Sequence, residues 1–148
     1  MSKEETTATI EKSAEDQARE NVSGKPHDDR KEIGRRGEEA ACNFLMRNGY
    51  DIIERNWTCP AGEVDIIAAT TCSLHFVEVK TRRGTGRGFP EEAVDAEKRQ
   101  RYERIAECYL SQYEETDISI HFDIIGILVN APDRAFLRFH KDAFCKDC

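Results

Sequence analysis

The chain changes character near Ile33, where apolar residues begin to recur at regular spacing. From Gly34 to Asn48, Ala41, Phe44 and Leu45 fall on one side of a helical projection, with Arg35, Glu39, Asn43 and Arg47 opposite. That period predicts an amphipathic helix, stopped by Gly49 as a C-terminal cap. Tyr50–Trp57 then reads as a strand, broken by Pro60 and Gly62. Two more strands, Glu63–Ala69 and Leu74–Thr81, flank a short Thr-Thr-Cys-Ser turn, so an antiparallel hairpin is their simplest pairing. A glycine-rich loop, Gly84–Gly88, leads into a helix that is opened by Pro90 or capped by Asp95 and runs to about Tyr113. Ile118–Val129 and Ala135–His140 are the last strands. The order predicts an α/β domain over 33–148, with a central mixed five-stranded sheet flanked by helices. Residues 1–32 are almost entirely polar apart from Ile10 and Val22, and are expected to be a disordered or transiently helical tail.

The strand pattern also concentrates chemistry. Side chains alternate along a strand, so Glu78 and Lys80 project together while Val77 and Val79 project the other way. If Ala69 faces Leu74 across the turn, Asp65 faces Glu78 and Glu63 faces Lys80, with the two acids about 5 Å apart at the backbone. Facing carboxylates repel unless a cation lies between them. Mg²⁺ suits such a pair, because it prefers hard oxygen ligands and is often held by one or two carboxylates; Mn²⁺ is the substitute. Lys80 would then orient or deprotonate a metal-bound water. Glu38 lies on the inward face of the first helix, where a carboxylate is costly unless paired or metal-bound. Lys98 falls on the apolar stripe of the second helix with Val94, Ile105 and Tyr109, and is expected to point toward the sheet or to snorkel along the core edge. Against this stands a plainer alternative, an exposed strand face with ordinary Glu–Lys pairs, since the Glu-x-Lys triplet is weak by itself.

The net charge of −7 excludes indiscriminate coating of nucleic acid. Yet Lys80, Arg82, Arg83 and Arg87 form a run without acids, and Lys98, Arg99, Arg101 and Arg104 follow. A local basic surface of this kind suits transient contact with a polyanion, with Arg82, Arg83, Arg87, Lys98 and Arg101 as the candidate nucleic-acid contacts. Gly84-Thr-Gly-Arg-Gly88 lacks the Gly-Lys-Ser/Thr ending of a nucleotide cradle and reads instead as a basic loop gripping backbone phosphate. No apolar run is long enough for a membrane helix and the start lacks a hydrophobic signal, so a cytoplasmic protein is expected. There the six cysteines are expected as free thiols or metal ligands, with Cys42 and Cys108 in the core. Cys145-x-x-Cys148 is an isolated two-cysteine motif and only a weak zinc or redox signal.

Gly34-Arg-Arg-Gly-Glu38, Asn56, Gly62-Glu-Val-Asp-Ile-Ile67, Phe76-Val-Glu-Val-Lys-Thr-Arg82, Ala93-Val94 with Lys98, and Phe122-Asp123 together resemble, in that order, the YraN-like family. That family looks like a branch of the PD-(D/E)XK superfamily, close in pattern to archaeal Holliday junction resolvases. The resemblance implies a restriction-endonuclease-like fold and a Mg²⁺- or Mn²⁺-dependent endonuclease acting on DNA, branched or irregular DNA included. It also implies Asp65, Glu78 and Lys80 as the metal-binding and water-activating set, with Glu38 as the helix-borne acid. Val64 replaces the proline of the superfamily's name, and His121 stands where the family often has Arg, leaving Asp123 open to a structural role. Cutting a junction symmetrically would make a homodimer attractive. The rivals are a non-catalytic nucleic-acid-binding module of the same fold and a zinc or thiol interaction protein using Cys145 and Cys148.

Overall fold

The computed structural model describes residues 5–11, 29–84, 94–114 and 117–144. In chain order the elements are β1 (Glu5–Glu11), α1 (Asp29–Arg47), β2 (Asp51–Cys59), β3 (Gly62–Ala69), β4 (Ser73–Arg83), α2 (Ala96–Leu110), β5 (Ser119–Ala131) and β6 (Arg134–His140). The strands form one mixed sheet in the order β1-β6-β5-β4-β3-β2. The α/β class is as expected, but among the described residues the sheet has six strands rather than five.

The additional strand corrects part of the expected tail. Glu5–Glu11 pairs antiparallel with the whole of β6, from Glu5 opposite His140 to Glu11 opposite Arg134. An open sheet edge offers unpaired backbone donors and acceptors, and Thr6, Thr7, Thr9 and Ile10 are suited to a strand by their branched Cβ. Ile10 packs against the core, and Glu5 contacts Arg138 at 3.1 Å and His140 at 3.5 Å. The first helix also begins earlier than Gly34, at Asp29, in part of the segment read as tail.

The β3–β4 hairpin is antiparallel in the expected register, with Ala69 opposite Leu74 and Ile66 opposite Val77. Strands β4 and β5 run parallel, which requires the crossover that α2 supplies. Asp95 caps α2, its side chain accepting from Lys98 N at 2.8 Å, and the helix ends at Leu110, short of Tyr113. Gly49 ends the turn after α1 at φ 88°, a left-handed conformation that glycine adopts without steric cost.

Each face of the sheet carries its own core. On one side Ala41, Cys42 and Leu45 of α1 pack on Ile66, Ala68, Val77, Ile125 and Ile127. On the other, Tyr102, Ile105 and Tyr109 of α2 pack on Val64, Ile67, Leu74, Phe76 and Ile124. The approach of α1 is tightest at Gly37, where an added Cβ would lie 2.0 Å from Thr81 Oγ1 and 3.1 Å from its Cβ. Gly37→Ala is therefore expected to destabilise the protein by about 1–3 kcal/mol through overpacking. Denaturant unfolding measures this, and adding Thr81→Ala should restore part of the loss.

Candidate active site

The β4 alternation delivers Glu78 and Lys80 to the α2 side of the sheet, in line with Leu74 and Phe76. There Lys98 reaches them from the first turn of α2. Its Nζ lies 2.6 Å from Glu78 Oε2, a charge contact rather than an aligned hydrogen bond, with both side chains nearly buried. Lys80 Nζ is 3.8 Å from the other oxygen of Glu78 and is much more exposed. Lys98 is thus directed inward, as its place on the apolar stripe predicts, and is not part of an exposed basic face.

Asp65 occupies the place where two strand pairings change. The β3–β4 ladder stops at Ile66 and Val77, one step before Asp65 would meet Glu78. In place of a backbone partner, Val79 N–H donates to Asp65 Oδ2 at 2.8 Å. The regular in-out pattern also fails here. Ile66 and Ala68 belong to the α1 core and Ile67 to the α2 core, but Val64 joins Ile67 instead of Ile66. A strand that keeps its alternation would put Val64 with Ile66. Glu63, predicted opposite Lys80, has no partner in the β3–β4 ladder, which ends before it, and pairs on its other side with Thr58 of β2.

Burial raises the Asp65 carboxyl to about 6; the Val79 N–H bond opposes that rise, and the charges of Glu38, Glu78 and Glu63 add to it. Glu38 on α1 is therefore near enough for its charge to bear on Asp65, although it belongs to the helix on the opposite face of the sheet from Lys98. Among the described residues no three acidic, histidine or cysteine side chains form a ready-made metal cage. Two or three neighbouring carboxylates still fit Mg²⁺ or Mn²⁺ in kind, because Mg²⁺ takes one or two protein carboxylates and completes its shell with water and phosphate oxygens.

Of the expected nucleic-acid contacts, Arg82 and Arg83 continue β4 beyond Lys80. Arg101 lies one turn along α2 from Lys98, its stem over Gly62. Arg87, the rest of the glycine-rich loop after Gly84, Pro90, and Cys145 with Cys148 fall outside the described residues. The four described cysteines are free, with Cys42 buried as expected and Cys108 only partly so.

A second polar cluster was not expected from the sequence. Fully buried Asp123 accepts from Asp142 N at 2.8 Å and meets His75 Nδ1 at 2.7 Å. His75 Nε2 is 2.8 Å from Ser73 Oγ, which is in turn bonded to Thr70 Oγ1. His121 stacks on His75 and contacts Asp142 at 2.6 Å. The cluster joins the start of β4 to β5 and to the turn after β6, away from Glu78, so Asp123 and His121 have structural partners.

Fold and site define an α/β protein with a mixed sheet whose β3–β4 junction gathers acids and lysines. The chain belongs to the uncharacterised protein family UPF0102, whose family model matches residues 37–127 and so spans the whole site. Relatives bearing that family name include one from Nocardia farcinica, 41% identical over 78% of this chain and 91% of its own length. A relative from Dictyoglomus thermophilum is 47% identical over 68% of this chain and 85% of its own length. Another, from Caldicellulosiruptor saccharolyticus, is 37% identical over 78% and 98%.

Proposed function

We propose that this protein is a divalent-metal-dependent endonuclease of restriction-endonuclease-like fold that hydrolyses DNA phosphodiester bonds, branched or irregular DNA being the preferred candidate substrate. The observation that carries this reading is the gathering of charge where β3 and β4 part: Glu38 and Glu78 both lie near enough for their charges to bear on Asp65, and Lys80 contacts Glu78. A structural ion-pair network would be expected to neutralise its acids, whereas here burial first, and then the charges of Glu38, Glu78 and Glu63, hold the Asp65 carboxyl up at about 6.

Asp65 and Glu78 would hold Mg²⁺ or Mn²⁺, with Glu38 completing the acidic set. Such an ion, when bound, would supply an activated water and offset charge on the phosphate. Lys80, half-exposed and in contact with Glu78, would orient that water and donate to a phosphate oxygen. Lys98 holds Glu78 in place from the α2 side, so we assign it to the acid cluster instead of the phosphate contacts. Arg82, Arg83 and Arg101 remain candidates for gripping backbone phosphate, which positions DNA without reading its sequence. No described helix is long and apolar enough to cross a membrane. A cytoplasmic site of action and a homodimer on junctions belong to the same proposal.

The test is incubation of linear duplex, single-stranded and four-way-junction DNA with the protein in Mg²⁺ or Mn²⁺. Metal-dependent cleavage of at least one supports the proposal. Binding without cleavage of any would replace it with a non-catalytic module. Lys98→Met is expected to lower stability in EDTA by about 1–2 kcal/mol, because Glu78 loses its closest cation but keeps Lys80. Thermal melts at fixed pH measure that loss.

A further inference from the structure

The irregularity at Asp65 extends across the sheet to β2. Arg55 pairs with Ile66 and Trp57 with Val64, so the position facing Asp65 is Asn56, and that pair alone is missing from this stretch of ladder. Asn56 has φ 51°, one of two positive-φ non-glycine residues among those described. Inside a strand such a residue is strained, and the conformation turns its side chain away from the direction the pleat would give. Glycine would adopt it without strain. Asparagine is the side chain that tolerates it best, and it brings an amide donor and acceptor. That amide is exposed and has no hydrogen-bond partner among the described residues.

Local structure therefore gives no reason for a side chain at this position, while the acid facing it belongs to the candidate active site. We propose that Asn56 is a substrate-positioning residue whose amide Nδ2–H donates to a non-bridging phosphate oxygen of DNA bound at Asp65 and Glu78. This rests on the nuclease reading above. A neutral donor suits the place: it contacts phosphate without pairing with Asp65, as a lysine or arginine would do. The left-handed backbone at Asn56 and the missing ladder pairs at Asp65 act together, one setting the direction of the amide and the other leaving Val79 N–H to the Asp65 carboxylate.

The test compares wild type, Asn56→Gly and Asn56→Asp in four measurements: thermal melting, Mn²⁺ titration by calorimetry, binding of a four-way-junction DNA in Ca²⁺, and cleavage in Mg²⁺ of whichever DNA the wild type cuts. Asn56→Gly is expected to melt at or above the wild-type temperature and to bind Mn²⁺ within about twofold. Its junction affinity and cleavage rate should fall about tenfold, the worth of one hydrogen bond to a charged group. Asn56→Asp keeps the shape and tolerates the backbone but swaps the donor for a negative charge, so DNA affinity should fall further than in Asn56→Gly. Wild-type DNA affinity and cleavage in Asn56→Gly would overturn the assignment and leave the nuclease reading intact. A wild type that neither binds nor cuts any DNA would overturn both.

Discussion

Asp65→Ala and Lys80→Ala are each expected to cut DNA at least roughly 100-fold more slowly than wild type in Mg²⁺, the scale of losing one group that acts on charge in the transition state. Neither should fail to fold. Lys80 is half-exposed, and Glu78, which it contacts at 3.8 Å, keeps Lys98 at 2.6 Å. Asp65→Ala leaves Val79 N–H without its acceptor, a cost of about 1–2 kcal/mol, but also removes a half-buried carboxylate that its neighbours repel. Circular dichroism and melting curves alongside single-turnover cleavage separate lost chemistry from lost structure. Undiminished cleavage in both variants would exclude this site. Loss in Asp65→Ala with full activity in Lys80→Ala would keep the acids and remove the lysine from the mechanism.

The parts of this site legible in the sequence are those fixed by local geometry. A short turn between two strands determines which residues face one another, so the hairpin register follows from Ala69 and Leu74. The helical period of α2 aims Lys98 inward whatever it meets there. Asp95 and Gly49 act within a single turn of chain, as cap and stop. What the sequence does not disclose is set by partners far along the chain. Nothing in Glu-Thr-Thr-Ala-Thr-Ile-Glu announces that the exposed edge of β6 will accept it as a strand. Asp-Ile-Ile-Glu-Arg-Asn-Trp looks like a regular strand, and the only hint of its break is that asparagine tolerates a left-handed backbone better than its neighbours do. Likewise, His75 and Asp123 lie on different strands and meet only because β4 and β5 run parallel in one register.

The same half-buried acid makes the metal-free protein's stability depend on pH in an unusual direction. The Asp65 carboxyl is raised from an ordinary 3.8 to about 6 in the folded chain. Between those values the folded state binds more protons at this site than the unfolded state, so this site's contribution to stability falls as pH rises through that window and is level above it. Asp65→Asn removes the charge and keeps an oxygen to accept from Val79 N–H. In EDTA at pH 8 this variant is expected to be more stable than wild type by on the order of 2 kcal/mol, a rise of several degrees in Tm. The advantage should shrink through pH 5 and vanish near pH 4, where wild-type Asp65 is protonated in the folded state. Paired urea melts of the two proteins from pH 4 to pH 8 isolate this difference from every other titrating group. A stability difference that does not change with pH, or a wild type that is the more stable protein at pH 8, would mean that Asp65 is held by compensating charge. It would then be an ordinary member of an ion-pair network, and the case for a carboxylate kept at a cost for metal binding would be lost.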